Sequence, residues 1–438
     1  MASNGEKPKL HFAMFPFFAF GHFTPYLHLS NKLAQRGHAV SFLLPKKALL
    51  PLQDQNLHTD LITFYPLTIP TVDGLPQGAE TASDVPFASH ITHLAKAFDL
   101  THDQVQALLS NLAPDFIFYD LGHWVPEIAS SLGIKAVMYN VVAATIVFRA
   151  ATLTNSTGQR DAFFDVDFGQ VGLTFRERIM TSLKRSDAVC FRTCTELEGK
   201  IIEYIKESIW EKPVLLTGPG LPELDGSTID PKWESWLNTF GPSKVIFCAL
   251  GTQIVLEKPQ FQELVLGFEA TGLPFLVILK PPVGSDSVEE ALPEGFKERV
   301  EGRGVVYGGW VQQTLILKHP SIGCFVSHCG YGSMWEGLVS ECGTIVALPF
   351  LYDQVLNAKM LADEMKMAVV VEREEESGWI SKERLCEAVK SVMDEGSQIG
   401  EIVRRNHFKY REVLVKDGFM SGYIDKFVED LQQLKNTS

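Results

Sequence analysis

The sequence predicts an α/β protein built from two doubly wound parallel sheets facing each other across a cleft. Three observations lead there. Short apolar runs of strand character alternate with longer helical patterns almost from end to end, as in parallel sheets covered by helices on both faces. At 438 residues and 45% hydrophobic content, the chain is too long for one ordinary core and too apolar to be disordered. The alternation breaks once, from Gly218, in a run rich in glycine and proline that favours turns over regular structure. The expected division is therefore a first domain over 1–218, a linker over 219–232 and a second domain over 233–420.

In the first domain the predicted strands are 10–15, 39–44, 61–67, 115–119, 135–142, 188–192 and 214–216, separated by stretches able to form helix, such as 25–35. Residues 151–172 carry mixed signals and are expected to form a loop. Beyond the linker, Asp230 is placed to cap a helix with Pro231 in its first turn, where proline's missing N–H would be unpaired anyway. The second strand series is 244–250, 274–280, 304–307, 322–327, 344–348 and 368–372, with 372–376 a solvated turn. The last helix is amphipathic, with Ile424, Phe427, Val428, Leu431 and Leu434 on one side. It is expected to cross back, as 421–438, and pack on the first domain.

Composition excludes several functions. A formal charge of −14, spread along the chain, repels a phosphate backbone, so nucleic acid is not an expected partner. The apolar stretch 10–20 contains His11 and Pro16 and falls far short of the roughly 20 residues that cross a bilayer. It lacks a secretory cleavage pattern as well, so no integral membrane span is expected. Seven cysteines, an odd number lying mostly in apolar runs, fit reduced buried thiols of a cytoplasmic protein better than a disulfide framework or a zinc site. Asp165-Val166-Asp167 has the spacing that holds a divalent cation against a diphosphate in some transferases, but no strand leads into it.

The most informative stretch runs from Trp310 to Gln354. A strand enters the turn His328-Cys329-Gly330-Tyr331-Gly332-Ser333, and a helix follows with Ser333 as its expected N-cap. Exposed amides and the positive end of a helix dipole make such a turn a seat for a diphosphate. The third glycine of a dinucleotide fingerprint is absent, Trp335 standing in its place, which argues against a nicotinamide oxidoreductase.

Trp310-Val311-Gln312-Gln313, the His328–Ser333 turn with Glu336, and Pro349-Phe350-Leu351-Tyr352-Asp353-Gln354 together resemble the signature box of plant family 1 UDP-sugar-dependent glycosyltransferases. The likeness extends to Gly21-His22, Tyr119-Asp120 and the two-domain layout. It implies a GT-B fold of two Rossmann-like domains, with a UDP-sugar donor held by the second and a small-molecule acceptor by the first. It also implies a monomer that needs no cofactor and no metal. On this resemblance Trp310 stacks on uracil beside Val311, Gln313 and Glu336 hold ribose hydroxyls, and His328 and Ser333 meet the diphosphate. Thr252 adds a phosphate contact, Gly330, Tyr331 and Gly332 complete the donor-binding turn, and Asp353 with Gln354 grips the sugar. Two positions depart from the family pattern: Gln312 stands for the usual proline and Tyr331-Gly332 for the usual Trp-Asn pair. The spelling Cys-Gly-Tyr-Gly-Ser-Met-Trp-Glu-Gly-Leu is closer to the branch that adds a sugar to a sugar already on a flavonoid or terpenoid, and the terminal Gln resembles glucose-using members.

His22 lies just past the first strand and ahead of Thr24-Pro25, where a neutral imidazole at a strand tip can accept a proton from a hydroxyl. Asp120 ends the 115–119 strand and is similar to the family's carboxylate that orients the histidine. The resemblance implies direct displacement with inversion at the anomeric carbon. The remaining readings are structural or open. His28, His38, His90, His93 and His102 read first as surface or packing residues, Phe17, Phe18 and Phe20 as core, and His123-Trp124 equally as packing or as a stacking surface. A non-catalytic nucleotide-sugar binder is the rival function.

Overall fold

A computed structural model describes residues 8–85, 90–152, 163–169, 172–222, 228–374 and 377–437. Among these the chain forms two compact units, Met1–Pro222 together with Met420–Ser438, and Glu223–Phe419. Residues 223–227 of the expected linker lie outside the described residues, as do 375–376 of the expected turn and most of the 151–172 segment.

The first unit holds a parallel sheet of seven strands: β1 (His11–Phe15), β2 (Ala39–Pro45), β3 (Ile62–Leu67), β4 (Phe116–Tyr119), β5 (Lys135–Asn140), β6 (Ala188–Phe191) and β7 (Val214–Leu216). Their order is β3-β2-β1-β4-β5-β6-β7, so the winding reverses between β1 and β4. Both of these strands are almost wholly buried, which is why they read as continuous apolar runs. Their register aligns Phe15 with Tyr119, so the two chains leave the sheet side by side at its carboxyl edge, where ligands bind in sheets of this kind.

The second unit repeats the plan with β8 (Val245–Ala249), β9 (Phe275–Ile278), β10 (Gly304–Tyr307), β11 (Ile322–Ser327), β12 (Ile345–Ala347) and β13 (Ala368–Val370). Here the order is β10-β9-β8-β11-β12-β13, all parallel, with the reversal between β8 and β11. Ser327 pairs with Ala249, so these two strands also end together.

The final helix, Phe419–Asn436, belongs to the first unit. Phe427 and Leu431 are fully buried, and the Phe427 ring meets Phe118 of β4 edge-on at 5.8 Å. Lys435 pairs with Asp115 at 2.5 Å, fixing the far end of the helix.

Two helix starts differ from the sequence reading. The helix after β1 runs from Phe20 to Ala34, five residues earlier than expected, which puts His22 inside its first turn and Pro25 in its interior. The bond that Pro25 cannot donate would have gone to the carbonyl of Gly21, an exposed residue, so the cost of an interior proline is small there. The helix after β11 runs from Tyr331 to Val339 and is capped by Gly330, whose backbone is extended, so Ser333 is its third residue and not its cap. In the 151–172 segment, the helix Ala144–Thr152 reaches its first two residues. Asp167 bridges Thr174 antiparallel, and Asp165 lies 3.8 Å from Arg176, so the D-x-D pair faces its own chain.

Candidate active site

In the first unit the reversal of the sheet brings together residues 98 positions apart in sequence. Asp120, only 4% exposed, follows β4 directly. Its Oδ1 accepts the backbone N–H of Phe17 at 2.8 Å and of Leu121 at 2.6 Å, and its Oδ2 accepts from Nδ1 of His22 at 2.5 Å. A carboxylate held this way can only accept, so the proton sits on Nδ1 of His22 and leaves the lone pair on Nε2. The His22 side chain is 21% exposed, and the Phe17 ring meets it edge-on at 5.8 Å. The imidazole is thus held in one orientation against a buried carboxylate.

Behind this pair lies a second, fully enclosed one. Arg178 is 0% exposed and its guanidinium grips Asp99 bidentately, at 2.9 and 2.6 Å. Trp124 donates its indole N–H to the same carboxylate at 3.0 Å, which places the His123-Trp124 pair in the packing. Burial, and then the Arg178 charge, lowers His123 to a pKa of about 4. Phe18 is buried outright, and Phe17 is 3% exposed beneath the histidine.

In the second unit, His328 follows β11 and Gly251 follows β8. The His328 ring is boxed between two glycines: a Cβ at Gly251 would lie 2.6 Å from Nε2, and one at Gly330 only 2.4 Å from it. Gly251 also has φ +73°, in the left-handed region. Nδ1 of His328 donates to the carbonyl of Ala249 at 3.3 Å, and burial holds the ring at a pKa of about 4, a shift that this bond only partly offsets. Cys329 adopts φ +60°, an uncommon conformation for a side-chain-bearing residue, and Asn357 braces its carbonyl from below at 2.9 Å.

Around this turn the other residues gather. Gln313 donates through Nε2 to Ser333 at 3.0 Å and also to Glu336. Trp310 leaves 79% of its surface open, beside Ile229, Pro231 and Trp233. Gln354 is 4% exposed, and its Oε1 caps the amides of Phe350 and Leu351 at 2.9 and 3.0 Å. Among the described residues no group of three or more His, Cys, Asp or Glu is placed to hold a metal ion, and all seven cysteines are free thiols. No helix among the described residues is long and apolar enough to cross a membrane.

A family model described as UDP-glucoronosyl and UDP-glucosyl transferase matches residues 293–408, which span this turn. Over 447 aligned residues the chain is 52% identical to UDP-glycosyltransferase 79B11 of Arabidopsis thaliana, covering 98% of both proteins. It belongs to the plant family 1 UDP-glycosyltransferases. UDP-glycosyltransferase 79B9 of the same plant is likewise 52% identical, over 97% of this chain and 98% of its own. The crystal structure of UGT89C1 from Arabidopsis thaliana with UDP-L-rhamnose superposes with a TM-score of 0.80 at 24% identity, covering 97% of this chain and all of that one. That of UGT73P12 from Glycyrrhiza uralensis with glycyrrhetinic acid 3-O-monoglucuronide gives 0.80 at 20% identity, covering 98% and 96%. The fold is GT-B, and the chain is a transferase with a UDP-sugar as co-substrate and no resident cofactor or metal.

The structure gives the remaining positions that the resemblance named in this glycosyltransferase the following environments. Tyr331, in place of the family's tryptophan, is 4% exposed and packs against Trp335 at 5.9 Å, so its side chain turns into the protein. The Val311 side chain is also buried, in the cluster with Ile316 and Leu317. Gly332 is helical, Thr252 is exposed just past β8, and Asp353 is half-buried at the start of the helix Tyr352–Lys359. Gln312, the departure from proline, accepts the N–H of Asp230 at 2.8 Å and ties the end of the linker to the Trp310 loop, a bond proline cannot make. Sequence reasoning missed Asn357, Arg178 and Asp99. Asn357 follows Gln354 by three residues, so the next turn of that helix was a legible signal. Arg178 sits in a helix crowded with Arg176, Glu177, Lys184 and Arg185, where nothing marks one cation as buried.

Proposed function

We propose that this enzyme transfers glucose from UDP-glucose to a hydroxyl of a small plant metabolite, the sugar of a flavonoid or terpenoid glycoside, with inversion at the anomeric carbon. His22 takes the acceptor proton on Nε2 as the hydroxyl oxygen attacks the anomeric carbon from the face opposite the diphosphate. The bond from that carbon to the diphosphate oxygen breaks and UDP leaves. Asp120 holds the ring and stabilises the imidazolium that forms. The observation that carries this reading is the 2.5 Å bond from His22 Nδ1 to a carboxylate already fixed by two backbone amides.

In the second unit, Trp310 offers an open indole face for uracil, and the linked Gln313, Ser333 and Glu336 present polar groups for the ribose and phosphates. With Nδ1–H of His328 given to Ala249, its Nε2 must take up a proton to meet the diphosphate. Asp353 faces the sugar, helped by Gln354, whose Oε1 also shapes the loop. A glycoside acceptor is supported by the Cys329–Leu338 spelling, and flat or polycyclic acceptors by neighbours of the same fold solved with quercetin and with glycyrrhetinic acid 3-O-monoglucuronide.

The test is to incubate the protein with UDP-glucose, UDP-rhamnose, UDP-xylose and UDP-galactose, each with paired glycosides and free aglycones, and to read mass shifts. One hexose gained from UDP-glucose on glycosides alone supports the reading, and transfer to aglycones alone overturns the acceptor class. His22→Ala and Asp120→Asn should each lower turnover by about 10²–10⁴-fold with UDP affinity retained. Undiminished transfer by His22→Ala would remove the mechanism.

A further inference from the structure

We propose that the buried Arg178–Asp99 pair is a positioning device for the His22–Asp120 pair, an inference that rests on those two residues being the base and its orienter. A guanidinium has five N–H donors in a fixed fork, and in Arg178 all of them are used inside the protein. Nη1 donates to Asp99 Oδ1 at 2.9 Å and to the Leu121 carbonyl at 2.7 Å. Nη2 donates to Asp99 Oδ2 at 2.6 Å and to the Phe168 carbonyl at 2.8 Å, and Nε donates to the same carbonyl at 3.2 Å. One side chain thereby joins three separate stretches of chain.

Two of those stretches, at Leu121 and Phe168, bear on Asp120. Leu121 is the next residue, and while its carbonyl is held by Arg178, its amide is one of the two that hold the Asp120 carboxylate. Phe17 supplies the other amide. Its ring is backed by the Phe168 ring at 5.8 Å, and the carbonyl of Phe168 is fixed by Arg178. The Phe17 ring then meets His22 edge-on. Both hydrogen-bond donors that aim Asp120, and the ring that packs against His22, are thus braced from one buried cation. Gly169 leaves room for it, since a Cβ there would lie 1.8 Å from Nη2.

A buried ion pair of this kind is weak evidence for stability, because apolar residues of similar volume often replace one without loss. Its retention here fits geometry better. A displacement of about 1 Å in a catalytic group can lower turnover by about 10²-fold. Lysine at position 178 would keep the charge but supply three donors from one point in place of the planar fork.

The experiment is a double-variant cycle on steady-state turnover with saturating UDP-sugar. Arg178→Lys should lower kcat by about 10–100-fold, with the UDP dissociation constant and the acceptor KM within about twofold of the parent. In an Asp120→Asn background the same change should lower kcat by less than about threefold, because the alignment it protects is already lost. An equal fall in both backgrounds assigns a merely structural role and overturns the inference, as does undiminished turnover in Arg178→Lys. If Asp120→Asn alone leaves kcat intact, the reading of His22 and Asp120 fails, and this one with it. Asp99→Asn, which keeps the side-chain volume, replaces Arg178→Lys in the cycle if the lysine variant does not fold, as judged by circular dichroism and thermal unfolding.

Discussion

Replacing Gly330 with alanine tests the contact proposed between the glycine turn and the donor diphosphate. Gly330 has φ −56° and ψ 140°, which alanine adopts freely, so the only perturbation is steric. The new methyl carbon would lie 2.4 Å from Nε2 of His328 and 3.2 Å from Cδ2 and Cε1, against a comfortable carbon separation of about 3.5 Å or more. Nε2 must therefore retreat by about 1 Å. Retreat towards Gly251 is blocked, because even a glycine there leaves no space for a methyl group beside the same nitrogen. Overpacking of this size costs about 1–3 kcal/mol of stability, which at ~2–4 °C per kcal/mol is readable by differential scanning fluorimetry. A displaced imidazole would also forfeit the charge-assisted hydrogen bond proposed for it with the diphosphate, worth about 1.5–3 kcal/mol, so UDP should bind ~10- to 150-fold more weakly by isothermal titration calorimetry. In a His328→Ala background the same alanine should change affinity little, since the ring it strikes is gone. If Gly330→Ala binds UDP as tightly as the parent protein, His328 does not meet the diphosphate and the argument is refuted.

Stability should fall in mild acid through buried histidines. Burial is the largest cause holding His28 at a pKa of about 3 and His123 and His328 at about 4, against 6.5 unfolded. Between those limits the unfolded chain binds protons that the folded chain refuses, so the stability these groups contribute is present above pH 6.5 and is lost as pH falls towards their folded values, at about 1.4 kcal/mol per pH unit for each. His28 and His123 lie in the first unit and His328 in the second, so thermal unfolding of both should shift downward between pH 7 and 5, and an unchanged profile would contradict the assigned burial. Phe427→Ala removes a fully buried ring from the contact with Phe118 and should destabilise the first unit by about 3–5 kcal/mol in urea titrations. A loss below about 1 kcal/mol would show that the last helix is not packed as described.

Much of this protein was legible from residue order alone. All thirteen strands of the described residues fall on predicted runs, with ends shifted by no more than two residues; central strands such as β1, β4, β8 and β11 are buried on both faces and apolar nearly throughout, so they need no partner to be recognised. The Trp310–Gln354 stretch was legible for a related reason: its residues lie close along the chain and the chemistry of each is local. Where the reading went astray, backbone conformation was at issue. Whether Gly330 or Ser333 caps a helix depends on which residue is extended, and several residues of that turn are compatible with either role.

Tertiary structure alone decided which strands are neighbours. An apolar run declares that a strand is buried but carries nothing about the edge it pairs with. Setting β1 against β4 and β8 against β11 brings His22 onto Asp120 and Gly251 beside His328. It also decided the burial of Arg178, one cation among several on a charged helix, for which a carboxylate 79 residues away and two carbonyls happen to supply every hydrogen bond. Side-chain pattern acts over a few residues along the chain, whereas strand order and the burial of a charge are settled by groups remote in sequence, and only the folded chain brings these into contact.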